Sequence, residues 1–166
     1  MIRKIVCVWL MLQGAAYAQV SIPEQIKAPA GNNPFLTVHA KGDQIYLCAF
    51  SEGKYSWVLQ APDAKLFDAA GRIVGKHYAG PIWEYKEGSR VVGQVVNKID
   101  VTPGSSISWL LVKIVSHKDN GMFSDTSYIN RVNTHGGLPP VSGCDANHIG
   151  SESRVPYTAD YIFYSK

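Results

Sequence analysis

Between Gly75 and Glu84 the chain reads GKHYAGPIWE and gathers three side-chain chemistries in one short stretch. Gly80-Pro81 fixes a sharp turn there, which places the His77 imidazole, the flat Trp83 ring and the Glu84 carboxylate around one loop. Such a trio suits a sugar, by ring stacking and polar contacts, or acid–base work in a hydrolase-type enzyme with His77 and Glu84 as the catalytic pair. A glycosidase needs two carboxylates flanking the bond, and spacing assigns no second one to this loop. The structural alternative has Trp83 packed in the core and His77 bonded to a backbone carbonyl.

Arg131 alternates with Tyr128 and Ile129 in the run YINRVNTHGG. An arginine in that setting pairs with a buried acid such as Asp160 or reaches for an anionic ligand. With His135 it completes the candidate ligand-binding set: His77, Trp83, Glu84, Arg131 and His135. The five histidines are His39, His77, His117, His135 and His148. A transition metal needs clustered or facing ligands, and only His135 and His148 come near each other in sequence, across a Gly/Pro loop. No metal ligand is therefore assigned, and a His-based metal-binding periplasmic protein is kept as an alternative. There is no G-x-S-x-G for serine hydrolysis and no G-x-G-x-x-G for a dinucleotide, so no cofactor is implied.

The compartment follows from the start of the chain. Arg3 and Lys4 precede an uncharged apolar run, Ile5 to Leu12, and Ala16-Tyr17-Ala18 carries small residues where a signal peptidase reads. Residues 1–18 are expected to be a signal peptide cleaved after Ala18, directing the chain to the periplasm or outside the cell. The apolar run is too short to span a bilayer, so the mature chain is expected to have no membrane span. Cleavage removes Cys7, leaving Cys48 and Cys144, and an even pair in an exported chain reads as a disulfide. It also lowers the net charge from +3 to one positive charge. A nearly neutral domain has no basic surface for nucleic acid, which is excluded as a partner.

These residues need elements to hold them. At 166 residues, 46% hydrophobic and 17% charged, the chain is long enough for one domain with a core and too apolar for disorder. Residues 19–33, with Pro23, Pro29 and Gly31, read as an extended arm, and residues 34–166 as a single β domain. Strand signals fall at Gln44 to Phe50, apolar on both faces and expected to be buried on both. They recur at Tyr55 to Leu59, then, after a break at Pro62-Asp63, in a hairpin of Ala64 to Phe67 with Arg72 to Tyr78. Further strands are expected at Arg90 to Lys98, with Gly93 at a bulge or close approach, at Ser108 to His117, Thr126 to Thr134 and Tyr157 to Tyr164. His135 to Val155 reads as a long loop. No window carries a helical stripe with caps. The architecture is an antiparallel sandwich, jelly roll or barrel of eight to ten short strands.

Taken in order, IYLC at 45 to 48, LFDAAG at 66 to 71, GKHYAGPIWE at 75 to 84, SWLL at 108 to 111, YINRVNTHGG at 128 to 137 and VPYTADY at 155 to 161 form a recognisable series. It resembles the secreted bacterial and fungal family known as domain of unknown function 3455, over residues 44 to 164. His135 departs from the pattern, which has a small apolar residue there. The resemblance implies export and a single domain, and carries no activity. The resulting expectation is an exported β domain binding a small molecule, glycan or surface partner, with the Gly75 to Glu84 and His135 to Cys144 loops at the rim.

Overall fold

The structure, a computed structural model, describes residues 20–166, so the expected signal peptide lies outside the described residues. Eight antiparallel strands form a closed barrel in plain up-and-down order: β1 Asn33–Ser51, β2 Lys54–Phe67, β3 Ile73–Tyr78, β4 Ile82–Tyr85, β5 Arg90–Ile99, β6 Trp109–Lys118, β7 Thr126–Gly136 and β8 Glu152–Ser165. Among the alternatives left open by the sequence, the barrel is therefore the one realised. Pairing of β1 with β8, from Asn33↔Ser165 to Leu47↔Glu152, closes it. No helix among the described residues is long and apolar enough to cross a membrane.

The strands are longer than their apolar signals. β1 begins eleven residues before Gln44, because Phe35, Thr37, His39 and Lys41 face outward and only their neighbours Leu36, Val38 and Ala40 reach the interior. The expectation that Gln44 to Phe50 is buried on both faces is corrected. Gln44, Tyr46 and Cys48 are buried within, Ile45, Leu47 and Ala49 are half-buried, and Phe50 is 54% exposed. Pro62-Asp63 does not break β2, which runs on through it opposite Gln44 and Asp43. The register instead shifts by one residue at Ile45/Tyr46, a bulge that absorbs Gln60. The turn at Asp68–Gly71 forms as expected. The Asp68 Oδ1 atom accepts from the backbone N–H groups of Ala70 and Arg72, and Gly71 takes the left-handed conformation at φ 76°.

The two ends of the barrel differ. At one end the β6–β7 loop folds Phe123 into the lumen, where it is fully buried and stacks on Phe163 at 4.5 Å with Tyr85 edge-on. At the other end, residues 137–151 cross the mouth. Tyr46 donates its hydroxyl to the Gly137 carbonyl at 2.6 Å, Trp57 donates to Ser142 at 2.8 Å, and a disulfide joins Cys48 to Cys144. Outside the wall, the chain from Val20 to Asn32 lies across β6, β7 and β8 with one 3-10 turn, Glu24–Ile26. Ile26 is fully buried there against Leu111 and Val132, and Asn130 donates to its carbonyl at 2.8 Å.

Candidate functional site

The hairpin of β3 and β4 shapes the site. Gly80-Pro81 turns the chain so early that β4 has four residues, while β2 has fourteen and β5 ten. β3 therefore pairs with β2 only over Ala64–Phe67, and β4 with β5 only over Arg90–Val92. Beyond the hairpin tip, among the described residues, β2 is paired only toward β1, and the Gln94–Ile99 part of β5 only toward β6. A notch opens in the wall between them. Behind it lies a cavity of about 490 Å³, within the range of small-molecule sites. Leu59, Pro62, Gly80, Pro81, Val95 and Lys98 rim it.

Three rings lie against one another in the wall of this cavity. Alternation along β3 and β4 turns His77 and Trp83 inward, and the register pairs them directly. Their rings stack at 4.1 Å with 15° between planes, and Tyr161 of β8 stands edge-on to both at 5.2 and 5.5 Å. Gly93 is required here, since a Cβ on it would fall 2.3 Å from Val112 and 2.9 Å from the Trp83 ring. Close approach, as expected for Gly93, is thus what the position serves.

His77 is 3% exposed and bonds the Ile82 carbonyl through Nδ1 at 2.9 Å. The carbonyl can only accept, so Nδ1 carries the proton and Nε2 is left as an acceptor. Burial pushes the His77 pKa down to about 3, against the Ile82 bond and with a further push from nearby Arg131, so the ring is neutral. Burial likewise raises the Tyr161 hydroxyl, against the pull of Arg131. This part of the wall is polar yet uncharged.

Arg131 supplies charge. It projects from β7 into the cavity and donates through Nε and Nη2 to the Ser108 carbonyl at 3.0 and 2.8 Å, which fixes the guanidinium plane. The expected pair with Asp160 does not form. Asp160 faces outward and accepts from Asn133 at 2.8 Å while contacting His39 at 2.5 Å. Alternation along β8 puts Tyr161 inside and Asp160 outside. Arg131 makes no ion pair among the described residues. Gln44 and Trp83 line the same cavity, but Gln44 Nε2 and Trp83 Nε1 are closed off from it and have no hydrogen-bond partner among the described residues. Leaving such groups unpaired costs about 1–3 kcal/mol each.

Of the five residues singled out by sequence, His77, Trp83 and Arg131 converge on this cavity, whereas Glu84 and His135 do not. Glu84 opposes Lys76 on the outer face of the hairpin, 3.3 Å from its Nζ and accepting from Tyr78 at 2.6 Å. The Tyr78 bond, and Lys76 after it, hold its carboxyl below the usual range. Inward and outward alternation thus separates His77 from Glu84, and the proposed catalytic pair does not meet. His135 is exposed on the outside of β7, in a shallow hollow with His39 and Asp160. Among the described residues no three His, Cys, Asp or Glu side chains are grouped as a metal would require. Gln44, Tyr161 and Lys98 were missed. An amide inside an otherwise apolar strand was a signal for the first, while nothing in the sequence indicated the notch.

A family model described as a protein of unknown function (DUF3455) matches residues 29–165. The chain belongs to this family. The match takes in every strand of the barrel and every residue named around the cavity. In DUF3455 the description assigns no activity, so geometry alone speaks for the site. No curated protein matches the chain, and no solved structure does.

Proposed function

We propose that this DUF3455 chain is an exported binding protein that holds a small molecule in the cavity behind the β2–β5 notch. The observation that carries the reading is the notch between β2 and β5, which opens onto a cavity of about 490 Å³ lined by Arg131, a cation with no ion pair among the described residues. A concave, largely apolar site with a few fixed polar groups is the form that small-molecule sites take. An eight-stranded barrel has an interior wide enough to be filled by side chains or to hold one small ligand. Here Phe123 fills the lumen at one end, and the cavity lies behind the notch, with His77, Trp83, Arg131 and Tyr161 in its wall. Export is supported by the signal pattern of residues 1–18 and by the disulfide. The hydrolase alternative loses its support, because its acid and base stand on opposite faces.

The test uses the neutral fluorescent probe N-phenyl-1-naphthylamine and a variant, Val95→Trp, that narrows the notch. Val95 rims the cavity and is 47% exposed, so the larger ring need not disturb the core. A saturable one-to-one fluorescence rise is expected with the parent protein, weakened at least about fivefold in the variant at unchanged melting temperature. Equal binding by both proteins would mean that the probe sits elsewhere and would sink the reading.

A further inference from the structure

The cavity is selective in charge. Arg131 and Lys98 line it, and no aspartate or glutamate does. Arg131, with Nε and Nη2 committed to the Ser108 carbonyl, is held in place by the protein's own backbone and neutralised by no carboxylate among the described residues. Resting on the cavity reading above, we infer that the occupant is a small organic carboxylate on a mostly apolar body, its anionic group facing Arg131.

Each part of that description has a partner in the wall. The carboxylate oxygens accept, which is what a guanidinium with no protein carboxylate beside it demands. An apolar body suits Leu59, Val95 and Leu110, which supply apolar surface around it. A phosphate fits less well. One inward cation balances a single charge, and a doubly charged, strongly hydrated group needs more cations than the wall provides. Lys98, exposed at the rim, attracts the anion on approach.

The test compares 2-naphthoate with 2-naphthamide, which share a ring system and differ in charge, by calorimetry and by the indole N–H signals of the ¹⁵N-labelled protein. The carboxylate is expected to bind about tenfold more tightly than the amide, and to shift the Trp83 indole signal while Trp57, already bonded to Ser142, stays put. Arg131→Gln should erase the preference, and Lys98→Gln should reduce it without moving the Trp83 signal in the complex. Should Arg131→Gln fail to fold, the parent comparison decides alone. Amide binding as tight as carboxylate binding overturns the anion inference and leaves the binding barrel standing. Failure of both probes at millimolar concentration overturns the binding reading with it.

Discussion

A neutral histidine under a stacked tryptophan ties stability to pH. The pKa of His77 is near 6.5 unfolded and about 3 folded, so between these values the unfolded chain binds the extra proton. The contribution is complete above about pH 6.5 and is lost as pH falls toward 3, by at most about 1.4 kcal/mol per unit. Carboxylates held low, such as Glu84 and Asp145, lose their share in the same direction but only near and below their ordinary range. From pH 6.5 to 5 the His77 contribution is falling while those of Glu84 and Asp145 are still in place. Urea midpoints should fall across this window, and the slope should flatten in His77→Gln; an equally steep slope in the variant would show that another group is responsible. Residue types were legible in sequence, since His77, Trp83 and Arg131 were singled out and do converge. Side was not. Glu84 adjoins Trp83 in the chain and lies on the other face, because alternation is absolute within a strand and β4 went unrecognised as one.

Elements were legible where both faces of a strand are apolar or a turn has special chemistry. β5, β6 and the Asp68–Gly71 hairpin fall close to expectation, while the first eleven residues of β1 were missed because their outward half is polar. The Val20–Asn32 arm has little periodicity of its own and draws its order from the wall beneath it. Ile26 is its anchor, packed on Leu111 and Val132 beside the Asn130 bond. Ile26→Ala should lower stability by about 2 kcal/mol, the lower end for a buried Ile because the arm can settle into the space. Limited proteolysis should then cut between residues 20 and 32 faster than in the parent. Unchanged urea midpoints together with unchanged cleavage would mean that the arm does not depend on this contact.

At the scale of the molecule, closure joins residues far apart in sequence. β1 meets β8 across more than a hundred residues, and the disulfide spans 96 positions from the wall to the mouth loop. In the chain-entropy account a cross-link of that span contributes about 4–5 kcal/mol. The Cys48→Ala, Cys144→Ala double variant should unfold at correspondingly lower urea, and its 137–151 loop should become the first site of proteolytic nicking. Non-reducing mass analysis with an alkylating agent should find neither Cys48 nor Cys144 modified in the parent; two modified thiols there would refute the bridge. The notch carries a different consequence. Among the described residues, Lys54–Asp63 of β2 and Gln94–Ile99 of β5 each present one bare strand edge, flanked by Val58, Leu59, Val95 and Val96, all more than 40% exposed. Bare edges template the strands of other chains and invite aggregation. Pro62, which has no N–H to offer, and the charges of Lys54 and Lys98 blunt these edges in the manner of gatekeepers. A molecule lodged in the gap blocks the same ladder, so an occupied barrel should resist clumping at concentrations where an empty one does not.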